Sequence, residues 1–516
     1  MVAVKKLDDA APDWARSAAR LTGPQPKDLQ QDNALETKRQ VPGLPPTVDP
    51  RVEYFLGQTG LLQSLKSGFG GPVHLLFPQI FRETVRDYKK LLERFSLRHQ
   101  IFFAKKANKA ASFVQECAQL GLGIDTASIE ELVAALKGGV PPQLIGITGP
   151  AKSDRLLILA LQQGCLLAID AVDELQRAAS LARQLDKSLR CLIRLRPNNQ
   201  IKSRFGFAPD DLPELWHQID QLNRSKETIR LEGLSFHLSG YDTAERAAMA
   251  FTAISLITEL SSRFPHCRRL NIGGGLPLSY ASAPAWQDFQ ASQNPEDYHG
   301  GKQFGGGFYP YHCESAGLDA LRTILETPNP AGEGDLADLL RAHDLELMLE
   351  PGRALLDQSG VTLFSVQGVK ERKPEASLQT PEGSYGIITV DGTSFSLSEQ
   401  WFDSEFLPDP RLLSPRISAS ENREFSPLFR AAIGGVSCLD SDMLSWRKIA
   451  FPGKPEVGDL LCYLNTAGYQ MDSNESEFHG LPLPQKICLF LDNGVAAWCR
   501  DTDYCAVLAE DYSSWN

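Results

Sequence analysis

Through the middle of the chain, short apolar runs alternate with longer stretches of helical period. Such alternation marks βα units, whose strands are buried in a parallel sheet. Eight runs read as strands: Ile101–Lys105, Leu122–Asp125, Leu144–Thr148, Leu166–Ile169, Leu189–Leu195, Leu231–His237, Arg269–Ile272 and Glu346–Glu350. Eight parallel strands close on themselves, so the expected fold is α/β, a (β/α)8 TIM-like barrel. The intervening stretches carry helix signals. In Ser153-DRLLILALQQ-Gly164 the serine is placed to cap the start and the glycine to end the helix.

The rhythm breaks once and then changes. About 70 residues separate the seventh and eighth strands, and Pro277–Pro310 is dense in Gly, Pro, Ser, Asn and Gln, which reads as an insertion with loop character. After Gly352 come alternating runs such as Tyr385-GIITVDG and Asp459-LLCYLN between Pro/Gly turns, the pattern of a second, mostly antiparallel β domain. The expected organisation is a partly ordered extension over 1–50 and an N-terminal contribution to the β domain over 51–74. A barrel over 75–355 carries the insertion at about 277–310, and the β domain proper covers 356–516.

A chain of 516 residues exceeds the size at which one core keeps growing, in keeping with two domains. Its 52 Lys+Arg against 64 Asp+Glu leave a net charge of −12, which argues against a nucleic-acid partner. Neither a signal peptide nor an apolar run of about 18 residues is found, so no membrane partner is expected and the protein reads as cytoplasmic. The ten cysteines include no C-x-x-C pair and no metal-finger spacing; no metal site is expected.

Barrel enzymes carry their chemistry at the C-terminal ends of the strands. The residues there form a polar set: Lys106, Asp125, Lys152, Arg194, Arg196, His237, Gly273-Gly274-Gly275, Glu350 and Arg353. Taken singly, each has a plain alternative: a lysine after a strand is usually solvated, and a histidine there is as often structural as functional. In FFAKKAN, two consecutive lysines on a strand face opposite ways, so only one can point inward. Three glycines after RRLNI can form a nest of backbone N–H groups for a phosphate, or a plain turn. Barrels often bind phosphate after strands seven and eight, where this triplet and Pro351-Gly352-Arg353 stand.

The ordered series FFAKKANKA, GLGIDTASIEEL, SRFGF, FHLSG, LNIGGGLP, LEPGR, GGVSCLDSDML and LNTAGYQ resembles the fold-type III decarboxylases dependent on pyridoxal 5'-phosphate (PLP). These include the diaminopimelate, ornithine and biosynthetic arginine decarboxylases, and the likeness runs from about Val73 to Pro484. The resemblance implies that Lys106 carries PLP as a Schiff base while Lys105 faces away. It implies that Asp125 and Glu131 stand near the imine and that His237 stacks on the pyridine ring. Gly273, Gly274, Gly275, Gly352, Arg353 and Tyr469 would hold the phosphate end, and Glu350 the pyridine nitrogen. Cys438 matches a cysteine that reaches the neighbouring subunit's site, which implies a homodimer with active sites at the subunit interface.

The implied reaction is loss of an amino acid's α-carboxylate through a quinonoid intermediate, with Lys106, His237, Glu350 and Cys438 catalytic. Arg196, Asp440 and Tyr469 are the candidates for binding the amino-acid substrate. A glutamate at 350, where related racemases carry arginine, favours decarboxylation. Two departures bear on the substrate: Leu439 follows Cys438 and the acid comes next as Asp440, and Gly240 stands where a phosphate-contacting serine is common. The stretch Val390-DGTSFSLSEQW also lacks an arginine expected of a diaminopimelate enzyme. A racemase and a non-catalytic PLP-binding homologue are the alternatives.

Overall fold

The computed structural model describes residues 42–372, 384–397, 403–416, 428–492 and 495–506; residues 1–41 of the expected N-terminal extension and the end of the 390–401 stretch lie outside them. The chain divides into two units. One contains the chain up to Phe77, Leu278–Glu314 and Gln358–Ile487; the other contains Pro78–Pro277, Ser315–Asp357 and the chain from Cys488 on.

The first unit contributes strand β1 (Val73–Leu76) before the barrel begins. The barrel strands follow: β2 (Arg98–Ala104), β3 (Gly123–Thr126), β4 (Ile145–Ile147), β5 (Leu166–Ile169), β6 (Leu189–Leu195), β7 (Ile229–Phe236), β8 (Arg269–Asn271) and β9 (Glu346–Leu349). They form a closed parallel barrel in which β9 pairs back onto β2. All eight runs read from the sequence are present, and so is the helix Asp154–Gln163. Ser153 accepts its Leu156 N–H at 3.3 Å, and Gly164 ends it at φ 73°.

Inside the barrel, Phe102, Leu166, Leu192 and Met348 form one buried apolar layer. Room for the phenylalanine comes from the two neighbouring strands, β3 and β4: a Cβ on Gly123 would lie 2.6 Å from the Phe102 ring and 2.8 Å from the Leu144 carbonyl, and one on Gly146 would lie 3.5 Å from the ring. One pleat below, the N-terminal end is closed by ion pairs. Glu232 accepts from Arg190 Nε at 2.7 Å and Arg269 Nη1 at 2.6 Å, and Arg269 Nε reaches Glu346 at 2.8 Å. Burial works to raise the Glu232 carboxyl, yet the arginines hold it below its ordinary value. Glu232 itself sits in a β-bulge, where the register jumps from Cys191↔Leu231 to Leu192↔Gly233.

In the first unit, β10 (Gly360–Arg372), β11 (Tyr385–Val390), β12 (Arg411–Leu413), β13 (Phe429–Gly434), β14 (Met443–Phe451) and β15 (Leu460–Tyr463) build a sheet with β1. The order runs β14-β13-β11-β10-β1, with β15 on β10 and β12 on β15. Every one of these pairs is antiparallel except β11 with β13.

Two boundaries differ from the sequence reading. The segment at 277–310, read as loop, carries the helix Ala283–Ser292, capped by Ser282 and started by Pro284, and Leu278–Glu314 belongs with the β unit rather than the barrel. The sequence pattern extends the β domain to residue 516; strands Gln485–Asp492 and Val495–Arg500 do follow β1 in the sheet order, but the chain from Cys488 on groups with the barrel unit, and the turn Asp501–Asp503 packs there. Asp501 accepts from Ala111 N–H at 2.7 Å and Ser112 N–H at 2.9 Å, capping helix Ala111–Gln119, and Tyr504 bonds the buried Arg82–Glu116 pair. No sequence period signals a cap supplied from so far along the chain. Among the described residues no helix is long and apolar enough to cross a membrane.

Gly123→Ala is expected to destabilise the barrel by about 1–3 kcal/mol through overpacking against Phe102. Thermal denaturation should show a lowered midpoint; an unchanged midpoint would mean that the layer yields without strain.

Candidate active site

One pleat above the apolar layer, the inward positions turn polar: Gly123 is succeeded by Asp125, Gly146 by Thr148, Leu192 by Arg194 and Met348 by Glu350. These side chains, with Lys106, Glu131, Phe205, Ser235 and His237, line a cavity of about 270 Å³ within the barrel unit. A roomier cavity of about 400 Å³ lies by Asp170, Asp210, Asp211 and Glu214, but no cation or nucleophile lines it. The chemistry belongs to the smaller one.

The two lysines are separated by a turn, not by strand alternation. β2 ends at Ala104, and Lys105–Ala107 form one 3-10 turn, because the Ala104 N–H is drawn to Pro351 O (3.2 Å) and Asn108 N–H to Lys105 O (3.1 Å). Lys105 is buried with its ammonium on Lys109 O at 3.1 Å, whereas Lys106 is exposed and lines the cavity.

Around Lys106 stand two carboxyls and an imidazole. Asn271 donates to Glu350 Oε1 at 2.6 Å and accepts the Gly273 N–H at 2.9 Å, so one amide fixes both the carboxylate and the start of the glycine turn. Burial first, and Glu350 second, push the Asp125 carboxyl well up, against the pull of Lys106; its Oδ1 is buried without a hydrogen-bond partner. Burial, helped by Lys106, Arg246 and Arg194, pushes the His237 imidazole well down, so it is neutral at physiological pH. Arg194 lies 4.3 Å over the Phe205 ring and 3.5 Å from Asp170. Glu131 also serves its own helix: at the start of Ile129–Lys137 its N–H donates to Ser128 Oγ at 3.1 Å and its Oε2 accepts the Ala127 N–H at 2.8 Å.

The glycine turn packs on this wall. A Cβ on Gly273, at φ 70°, would meet Phe236 O at 2.8 Å and the His237 ring at 3.1 Å, and one on Gly274 would meet Glu350 O at 2.4 Å. Only glycine fits. The backbone N–H groups of Gly274, Gly275 and Leu276 have no acceptor among the described residues. Three donors on one glycine turn match the demand of a phosphate group, and with Lys106 as the amine for an aldehyde the residues present fit PLP.

Not every expected residue gathers here. Arg196 is outside the cavity wall: β6 has ended at Leu195, and the Arg196 N–H is tied to Phe207 O at 2.8 Å where the chain folds back, which leaves Arg194 to face inward. Lys152 turns into a buried pair with Glu174 at 3.1 Å and a bond to Ala168 O at 2.6 Å. Gly352 precedes the 3-10 turn Arg353–Leu356 at the end of β9. Cys438, Asp440 and Tyr469 belong to the β unit. There Cys438 Sγ lies 3.2 Å from His479 Nε2, a contact that no motif announced, and Tyr469 adopts φ 74°. Asn271 and Arg246 were likewise unforeseen, being ordinary residues of a strand and a helix by pattern.

Residues 79–295 match the family model described as the pyridoxal-dependent decarboxylase, pyridoxal binding domain. The chain is 36% identical over 451 residues to the uncharacterized protein y4yA of Sinorhizobium fredii, covering 87% of this chain and 94% of that protein. It is 25% identical over 451 residues to diaminopimelate decarboxylase of Bacillus subtilis, covering 84% and 89%. The chain belongs to the fold-type III PLP-dependent decarboxylases. Among solved structures, Helicobacter pylori diaminopimelate decarboxylase complexed with L-lysine aligns with a TM-score of 0.64 at 18% identity, over 87% of this chain and 99% of that one. Vibrio vulnificus lysine/ornithine decarboxylase complexed with cadaverine gives 0.61 at 19%, over 86% and 100%. At such identities the likeness speaks for the fold: a barrel of this family beside a β domain.

His237 makes folding depend on pH. Its pKa is lower folded than unfolded, so its contribution is full above the ordinary histidine range near ~6.5 and is lost as pH falls through it, where the unfolded chain takes up the proton. His237→Asn should make the decline in the urea midpoint between pH ~7 and ~5 shallower. What remains should include His74, also buried and pushed down to about 3. An identical decline in both proteins would mean that folded His237 accepts a proton freely.

Proposed function

We propose that this protein removes the α-carboxylate of an amino acid with PLP held on Lys106. The observation that carries the reading is an exposed lysine lining a cavity beside a neutral histidine, two carboxyls and a glycine turn with unused N–H donors. PLP supplies an electron sink for the pair left behind when CO₂ departs.

The chain's own residues would share the work as follows. Lys106 Nζ binds the aldehyde. His237, kept uncharged, offers a flat face on which an aromatic ring can lie. Glu350, oriented by Asn271, is the carboxylate for a pyridinium N–H and holds that proton in place by charge. Asp125 is the carboxyl that burial and Glu350 bias toward its protonated form, within the reach of Lys106's charge. The Gly273–Gly275 turn, joined by Gly352, Arg353 and Tyr469, takes the phosphate end. The floor of apolar side chains beneath the cavity strengthens each of these interactions by excluding water.

Two copies of the chain would complete the site, with Cys438 as proton donor to the substrate carbon and Asp440 toward the substrate side chain. The displacement of that acid by one position, Leu439 standing between, favours a substrate whose distal group differs from diaminopimelate. The ten cysteines, all free thiols, would suit the reducing cytoplasm.

An absorption band near about 420 nm is expected on adding PLP to the wild type and none with Lys106→Ala. CO₂ release in a screen of amino acids should drop at least ~10²–10⁴-fold in the variant. A band that persists without Lys106 would refute the lysine assignment. A normal band with α-proton exchange in D₂O but no CO₂ would make the protein a racemase.

A further inference from the structure

Arg246 lies in the first turns of helix Thr243–Leu260, whose start is capped by Asp242. Its side chain is 1% exposed. Nη1 donates to Ile272 O at 2.8 Å and Nη2 to Gly275 O at 3.4 Å, the two carbonyls that bracket the glycine turn. A Cβ on Gly275, at φ 77°, would lie 2.6 Å from Nη2, so the turn rests directly on the guanidinium. Burial pushes Arg246 down to about 10, opposed by the neighbouring Glu245, Tyr241 and Asp242, which leaves it charged at neutral pH.

Four other buried cations have carboxylates in contact: Arg82 has Glu116, Arg447 has Asp409, Lys152 has Glu174 and Lys66 has Asp391, while the buried Lys105 and Lys448 bond the Lys109 and Glu296 carbonyls. Among the described residues Arg246 has none; its hydrogen-bond partners are the two carbonyls. A buried charge without a counter-ion is costly. The turn it supports exposes three N–H groups that also lack acceptors. Two independent features at one place therefore call for the same thing, an anion. Gly240, where a phosphate-contacting serine is common, leaves open space where its side chain would be, so no hydroxyl helps from that direction.

We propose that Arg246 is the positioning residue and the charge of the phosphate cradle. By holding the Ile272 and Gly275 carbonyls it keeps the N–H groups of the turn directed toward the ligand, and from behind the turn it offsets the charge of a phosphate monoester. The inference rests on the PLP reading above.

The test compares PLP with pyridoxal, which lacks the phosphate, by titration at about 420 nm of full-length wild type, Arg246→Met and Arg246→Lys. Arg246→Met should weaken PLP on the order of 10- to 100-fold, the range for hydrogen bonds involving a charged group, and leave pyridoxal unchanged. Arg246→Lys keeps the charge but not the fork, and should weaken PLP by a smaller factor, again without affecting pyridoxal. Should Arg246→Met not fold, the lysine variant decides alone. Equal weakening of both ligands, or no weakening of PLP, would overturn the role of Arg246. A wild type that forms no band with PLP would instead overturn the cofactor reading itself.

Discussion

Closing eight parallel strands around a phenylalanine is the constraint from which the rest follows. Phe102 occupies the barrel interior because Gly123 and Gly146 give up their side chains to it, and Leu166, Leu192 and Met348 complete the layer. Side chains alternate along a strand, so fixing that layer also fixes what stands two residues later. Asp125, Thr148, Arg194 and Glu350 are held in one ring at the C-terminal mouth by the same strands that bury the hydrocarbon floor. The ion pairs of Glu232 with Arg190 and Arg269 close the opposite end. Chemistry and stability are thus stacked on one axis, with an apolar partition between two charged layers.

The charges at the mouth are arranged to push protons apart. Burial, with Lys106, Arg246 and Arg194 around it, keeps His237 neutral, while burial first and the neighbouring Glu350 second push the Asp125 carboxyl well up. Asn271 gives Glu350 a fixed donor, and Asp125 has a buried oxygen without one. The asymmetry between the two carboxyls is one of hydrogen bonding and depth of burial. It is the kind of asymmetry by which one site runs acid and base chemistry at a single pH.

Much of this was legible in the sequence because the period of an element is a physical consequence of its geometry. All eight barrel strands, the Ser153 and Gly164 helix signals and the polar ends of the strands could be read directly. Lys106, Asp125, His237 and Glu350 line one cavity, as the strand ends lead one to expect. Legibility fails where the chain leaves its period. Lys105 and Lys106 sit on a turn, so strand alternation does not separate them, and Arg196 lies one step beyond the end of β6, leaving Arg194 as the inward side chain. Lys152 satisfies Glu174 instead of the cavity. Arg246 and Asn271 have no local signature, since their importance lies in which backbone atoms a distant loop brings to them.

The cap that Asp501 places on helix Ala111–Gln119 joins residues 390 positions apart. During synthesis that helix emerges long before its cap, and the same is true of Glu116 and Tyr504, separated by 388 positions. The barrel's first half must therefore wait, with helix N–H groups uncapped, until Asp501 and Tyr504 have left the ribosome. Contacts of such span slow folding and prolong exposure of apolar surface. Loss of the Asp501 carboxylate or the Tyr504 hydroxyl would accordingly be felt in the yield of folded protein rather than in the reaction it carries out.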